Sequence, residues 1–169
     1  YDFSKANVVL SLDADFLPEN PGRLRYTRDF VSRRRVHEDQ FEMNRLYVVE
    51  STPTNTGSMA DHRLPMSAGD VENFAWALVQ ELGIPVQKKN LEGAPGAAWI
   101  APLAKDLQLN SGKSIVIPGE HQSPTVHVLA HAMNQVLGNI DRTVLHTDPV
   151  EADPIDQFAS LRDLVRSME

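Results

Sequence analysis

A chain of 169 residues fits one domain of ordinary size, long enough to bury a core and too short for a second domain. Its composition, 41% hydrophobic and 23% charged, excludes wholesale disorder, and its net charge of -7 disfavours nucleic acid as a partner. There is no cysteine, so the chain supplies no thiolate to an iron–sulfur cluster. We predict a single domain over residues 1–169, and because it begins at Tyr1 we expect it to be cut from a longer protein.

Three short apolar runs predict buried parallel strands. They lie at residues 7–13, 46–49 and 114–117, and polar or turn-forming residues follow each of them. A fourth strand is predicted at 143–146. The segment 50–57 is polar and contains Pro and Gly, which predicts a long loop that is neither helical nor part of the core.

Apolar residues at helical spacing predict four helices. They cover about 71–82, 99–107, 124–137 and 154–168. Pro102 has to lie in the first turn of the second helix or kink it. The last helix is amphipathic, and Asp153 and Pro154 suit its N-cap and first helical position. Residues 26–36 fit a surface helix or an irregular arm, and the basic run 33–35 indicates a solvated helix end.

The alternation of strands and helices predicts the fold class. We expect an α/β domain, a Rossmann-like three-layer fold with a mostly parallel sheet of about four strands and helices on both faces. In such sheets ligands bind beyond the carboxyl ends of the strands. Asp13 and Asp15 follow the first strand, 50–56 the second and 119–121 the third, so we expect these segments to share one rim.

The segment 52–58 offers hydroxyl, amide and backbone groups suited to a nucleotide, but no Lys or Arg to balance phosphate. Two interpretations stay open, a ligand loop and a surface loop bonded to itself. The first strand is not followed by Gly-x-Gly-x-x-Gly, which disfavours ordinary NAD binding. Gly112-Lys113-Ser114 precedes its strand, unlike a P-loop, and Ser58 and Ser123 lack a nucleophile elbow. We predict no catalytic residue.

His127 and His131 are four residues apart and share one face of a predicted helix, beside Asn134. This spacing suits a metal ion, but zinc needs three or four ligands, so His121 or a carboxylate would have to join them. A polar contact to another domain and ordinary surface histidines fit the same pattern. We predict no metal site here.

Residues 49–69 resemble a signature of the molybdopterin oxidoreductases, in which a strand runs into Asp-Pro-Arg-x-Thr-x-Thr-Ala-x-x-Ala-Asp and then Leu-Pro-Ile-x-Pro-Gly. The residues in register are Thr54, Thr56, Ala60, Asp61, Leu64, Pro65 and Gly69. Gly-Glu-His-Gln at 119–122 and the motif at 126–139 are similar to one branch, the molybdopterin-oxidoreductase-like large subunit of bacterial alternative complex III. The resemblance spans most of the chain.

In cofactor-binding members of that family, the loop after the second strand helps to hold one guanine-dinucleotide half of the molybdenum cofactor. The resemblance implies these candidate binding residues: Glu50, Thr52, Thr54, Thr56, Gly119 and Glu120. Glu50 stands where the family has Asp, and Thr52 where it has Arg. Loss of the Arg removes a planar donor suited to phosphate, and added carboxylates repel a polyanion. The site therefore looks vestigial.

The resemblance implies a scaffold domain in a quinol-oxidising electron-transfer complex, with no cofactor of its own and with iron–sulfur clusters elsewhere in the parent protein. It implies other domains of the same polypeptide, and membrane quinol-oxidising and cytochrome subunits, as partners at the periplasmic face of the bacterial inner membrane. The alternative within the family is a functional molybdopterin guanine dinucleotide-binding domain of a molybdenum oxidoreductase. An isolated nucleotide-binding module is a further alternative.

Overall fold

The computed structural model describes residues 1–19, 21–35, 42–86, 96–148 and 155–168. Within these ranges the strands are β1 (Val8–Leu12), β2 (Arg45–Glu50), β3 (His62–Pro65) and β4 (Ser114–Pro118). The helices are α1 (Arg23–Ser32), α2 (Asn55–Ser58), α3 (Ala68–Glu81), α4 (Ala97–Leu109), α5 (Pro124–Val136) and α6 (Gln157–Met168). A short 3-10 turn, Phe3–Lys5, precedes β1.

The strands form one parallel sheet in the order β3-β2-β1-β4. β1 lies in the middle, with Leu10 in register with Tyr47 of β2 and Val116 of β4. All five residues of β1 are buried, as expected for a strand covered on both faces. The predicted α/β fold with a mostly parallel sheet of about four strands is confirmed.

Alternate residues of β1 supply two separate cores, which lie on opposite faces of the sheet. Leu10 belongs to the larger core, which it shares with apolar residues of α3, α4 and α5. Val9 belongs to the other core, which contains three buried aromatic rings. Phe3 stacks on Phe16 at 4.6 Å between ring centroids, and Phe30 of α1 meets Phe16 edge-on at 5.8 Å. Helices therefore cover both faces, as a three-layer fold requires.

The fourth strand is not at the predicted position. The segment 143–146 forms no strand, and Thr143 instead lies in a turn where its hydroxyl donates to the Ser114 carbonyl at 2.6 Å. The fourth strand of the sheet is instead β3, which was not predicted from the sequence. Only Leu64 of β3 is even partly buried, so this edge strand has no apolar run to reveal it, and it ends at Pro65, as edge strands tolerate.

Two details of the helix predictions need correction. Pro102 is in the second turn of α4, where it leaves the Ala98 carbonyl without its helical donor. α6 begins at Gln157, and Asp156 caps it by accepting from the Ala159 N–H at 3.0 Å. The predicted cap, Asp153-Pro154, lies outside the described residues.

The basic run at the end of α1 is less solvated than predicted. Arg33 and Arg34 are partly buried, and only Arg35 is exposed. Arg34 forms an ion pair with Asp61 and lies over the Phe30 ring at 4.9 Å. The ambiguous segment is thus a helix whose end is held by specific contacts.

The outer edge of β4 is sealed by a buried amide. The Asn134 side chain of α5 accepts from the Val116 N–H at 3.0 Å and donates to the Val116 carbonyl at 2.7 Å. Asn139 bridges Asn134 and Ser114, at 3.0 Å to each. An edge strand normally leaves such groups open to another chain, so these side chains complete the pairing. No helix in the described part of the chain has the length and apolarity needed to cross a membrane.

Candidate functional site

The ends of three strands meet at the carboxyl edge of the sheet. This edge, formed by Asp13, Asp15 and residues 50–56 and 119–122, is called the rim below. Asp13 ends β1 in the left-handed region, with φ 59°, which aims its carboxylate across the neighbouring strand ends. One oxygen accepts from the Ser51 N–H at 2.9 Å, and the other accepts from the Gln122 amide at 2.8 Å. The structure therefore brings together the three segments that the sequence analysis placed on one rim.

Glu50, the last residue of β2, is turned into the protein and is only 1% exposed. Its carboxylate accepts from the Thr54 hydroxyl at 2.6 Å and forms an ion pair with Arg63 of β3. Gly57 leaves the space that this carboxylate fills, because a Cβ at that position would lie 2.0 Å from Oε1. Glu50 is thus a structural anchor between β2, β3 and α2.

The predicted loop after β2 contains a short helix, so the prediction that it lies outside helix and core is wrong. Thr54 caps α2 by accepting from the Gly57 N–H at 2.9 Å. Thr56 is buried, and its N–H and hydroxyl both donate to Asp15, at 2.8 and 2.6 Å. The polar groups of this loop are bonded within the protein, because the carboxylates of Asp15 and Glu50 accept hydrogen bonds from its hydroxyl and N–H groups. Thr52 is exposed, and its hydroxyl bonds to no other described residue.

Gly119 and Glu120 follow β4 and differ in role. Gly119 is buried against β1: a Cβ there would lie 2.0 Å from the Asp13 carbonyl oxygen, so only glycine fits. Its N–H donates to the Leu12 carbonyl at 2.8 Å. Glu120 is exposed to solvent. Of the six candidate residues, four are therefore engaged within the protein, and Thr52 and Glu120 face outward.

The histidines do not come together as a metal site. His121, His127 and His131 are all exposed, and His131 contacts the ring of His146 at 5.4 Å between centroids. Asn134, which the sequence analysis placed beside them, points instead into the sheet. In the described ranges, no group of three or more His, Asp or Glu side chains is arranged to hold a metal ion.

A second cluster, missed from sequence, lies on the face of β2 and β3. The ring of Tyr47 stacks on His62 at 4.5 Å, and Trp99 meets both rings edge-on at 6.1 Å. The Tyr47 hydroxyl donates to Asp106 of α4 at 3.0 Å, and Arg45 pairs with the same carboxylate at 2.7 Å. Only the alternation along β2 signals it: Arg45 and Tyr47 are every second residue, so they share a face.

The two acids of this cluster influence each other's protonation. Burial raises the pKa of Asp106, but hydrogen bonds from Arg45 and Tyr47 outweigh burial and leave the pKa below its ordinary value of 3.8. Burial, together with the hydrogen bond to Asp106, raises the pKa of Tyr47 to about 12. The pair holds a carboxylate and a neutral phenol at neutral pH, which suits a structural tie between α4 and the sheet.

Replacing Asp106 with Asn should lower stability at neutral pH and much less in acid. Because the folded-state pKa is lowered, the stabilisation is present above the unfolded value of 3.8 and is lost as pH falls through the folded value. We expect Asp106→Asn to lower the free energy of unfolding by only about 1 kcal/mol at pH 7, because its Arg45 partner is half-exposed. The loss should be smaller at pH 3, which is closer to the lowered pKa of Asp106. Urea unfolding at both pH values measures this. Asp163→Asn on exposed α6 is the control, and equal losses for Asp106→Asn at both pH values contradict the expectation.

No protein-family model matches the chain, and no curated protein matches it. The resemblance to molybdopterin oxidoreductases therefore rests on the residues quoted above.

Proposed function

We propose that this chain is a scaffold domain of a larger, molybdopterin-oxidoreductase-like redox subunit, and that it performs no redox step itself. The observation that carries the proposal is the bonding of the rim. The carboxylates of Asp13, Asp15 and Glu50 accept from the same hydroxyl and N–H groups that a dinucleotide would need as donors. The bonding of these donors within the protein supports a structural role.

Charge at the rim supports the same conclusion. Apart from the exposed imidazole of His121, the ionisable side chains of the rim are carboxylates, and the guanidinium of Arg63 is already paired with Glu50. A pterin dinucleotide carries several phosphate charges, and carboxylates close to them are repulsive at short range. Phosphate sites in proteins commonly use Arg or Lys, and the rim contains neither.

The exposed apolar face of α6 supports a place in a larger assembly. Its large apolar side chains all face solvent: Ile155, which precedes the helix, and Phe158, Leu161, Leu164, Val165 and Met168. An apolar strip of this kind marks an interaction surface. Under this proposal the partners are other domains of the same polypeptide and, through them, quinol-oxidising and cytochrome subunits at the periplasmic face. Iron–sulfur clusters elsewhere in the parent protein carry the electrons.

Metal analysis of the full-length protein, combined with acid extraction of guanine nucleotide, tests the proposal. We expect molybdenum and guanine nucleotide far below one per chain, because the rim carries carboxylates and no Arg or Lys, and the donors of Ser51, Thr54 and Thr56 are already bonded to those carboxylates. A molybdenum oxidoreductase purified and extracted in parallel is the positive control. Molybdenum and guanine nucleotide at one or more per chain would overturn the scaffold role and establish the cofactor-binding alternative. Micromolar binding of GTP to this domain alone, by calorimetry, would instead favour an isolated nucleotide-binding module.

A further inference from the structure

Positive charge collects at the edge of the sheet opposite the rim, where the strands begin. A cavity of about 480 Å³ opens there, called the basic pocket below. Its cationic lining consists of Lys5, Arg33, Lys113 and Arg142, and Asp141 is its one acidic lining residue. The chain as a whole carries a net charge of -7, so this local excess of cations runs against the average of the protein. Like charges held around one cavity repel each other unless an anion lies between them.

The cations of the basic pocket are poorly neutralised by the described part of the protein. Lys5 pairs with Asp2 at 2.9 Å, whereas Lys113 and Arg142 are exposed and have no carboxylate within ion-pair distance among the described residues. Arg33 donates to the neutral Asn7 amide oxygen at 2.5 Å, and its Nε is buried without a described partner. Arg33, Lys113 and Arg142 therefore face one cavity without an ion pair to any described residue, and Asp141 is the one carboxylate in the lining.

Gly112 lies directly beneath the Arg142 guanidinium at the wall of the pocket. Gly112 adopts φ 74°, and a Cβ there would lie 2.5 Å from an Nη1 atom of Arg142. Glycine allows the turn before β4 to pass directly under the guanidinium. Arg142 and the turn that carries Lys113 therefore lie side by side at the pocket wall.

The cations reach the pocket from separate elements. Lys5 ends the 3-10 turn, Arg33 caps the end of α1, Lys113 precedes β4 and Arg142 lies in the turn after α5. One carboxylate offers two oxygens, which a single guanidinium satisfies. A phosphate group offers at least three acceptor oxygens and up to two charges, so it suits cations that converge from several directions. The cavity exceeds a bare phosphate and falls in the usual size range for small-molecule sites.

We propose that the basic pocket binds the phosphate group of a small phosphorylated molecule. Arg142 and Lys113 act as its main ligands, and Arg33 supplies charge from the side of α1. This site is on the opposite edge of the sheet from the rim and is independent of the scaffold role. If an experiment rejects one of the two proposals, the other is unaffected.

Calorimetric titration of the full 169-residue chain with inorganic pyrophosphate tests the site. We expect saturable binding at or below about 1 mM. Arg142→Gln and Lys113→Gln should each weaken it about tenfold, because each removes charge-assisted hydrogen bonds. Both side chains are exposed, so both variants should fold, and thermal unfolding of each confirms this.

The matched control is Arg23→Gln, which makes the same charge change at an exposed position at the start of α1. It should leave pyrophosphate binding unchanged. Absence of saturation at roughly ten times the expected dissociation constant would overturn the proposal. Equal weakening by Arg23→Gln and Arg142→Gln would also overturn it, since the effect would then come from net charge. Citrate binding as tightly as pyrophosphate would overturn the choice of phosphate.

Discussion

Replacing Asn134 with Leu should lower the free energy of unfolding by about 4 kcal/mol, because two buried backbone groups each lose their partner at a cost of roughly 1–3 kcal/mol. These groups are the N–H and carbonyl of Val116, both bonded to the Asn134 amide. Leu has the same number and branching of side-chain heavy atoms as Asn, so the change creates no cavity. Asn134 is 3% exposed, which leaves no access for water to replace the amide.

Urea unfolding of Asn134→Leu and of a matched control measures the effect. Gln135→Leu is the control, because Gln135 is the exposed neighbour on the same helix and its change should stay within about 0.5 kcal/mol. A loss below about 1 kcal/mol for Asn134→Leu would show that Val116 finds other partners and that the amide does not seal the edge of β4. Open edges also promote association, so sedimentation of the variant should show oligomers that Gln135→Leu lacks.

Asn134 also shows where sequence patterns stop being informative. A polar residue on a helix is expected to face solvent, and its spacing from His127 and His131 placed all three on one face. The structure buries Asn134 because the edge strand β4 needs a donor and an acceptor at Val116. That need arises only when the strand order is known. A single sequence shows the amide but not the strand edge that it serves.

The strands that are buried on both faces of the sheet were predictable from the sequence. β1 and β4 are covered on both faces, so they appear in the sequence as continuous apolar runs of the length typical of strands. β3 is an exposed edge strand of four residues, and its pattern, His-Arg-Leu-Pro, carries no such run. Its place in the sheet is fixed by pairing with β2 and by the ion pair between Arg63 and Glu50, neither of which is local in sequence.

The rim was predictable in position but not in bonding. The rule that parallel strands end on one edge placed Asp13, Glu50 and Gly119 together, and the structure brings them there. The polar loop after β2 gave no sign of which groups would bond to each other. Thr56 turns inward because Asp15, 41 residues away in sequence, accepts both of its donors. Composition left a ligand loop and a self-bonded loop open, and the hydrogen bonds favour the second.

Replacing Arg63 with Met should cost about 3 kcal/mol, because it leaves the buried carboxylate of Glu50 without a counter-charge. Met keeps most of the length and apolar stem of Arg, so packing changes little. The Arg63 side chain is 34% exposed, whereas Glu50 is 1% exposed, so the penalty falls on the carboxylate. Urea unfolding at neutral pH measures the loss.

The double variant Arg63→Met with Glu50→Gln separates a structural carboxylate from one held ready for a ligand. If Glu50 is an anchor, removing its charge should restore more than half of the loss, because Gln still accepts from the Thr54 hydroxyl and carries no uncompensated charge. If the rim instead holds Glu50 in a strained, ligand-ready position, Glu50→Gln alone should raise stability, and Arg63→Met should cost little. Glu50→Gln as a single variant therefore decides between them. A loss of about 1 kcal/mol supports the anchor, since the Arg63 pair is weakened, and a gain in stability contradicts it.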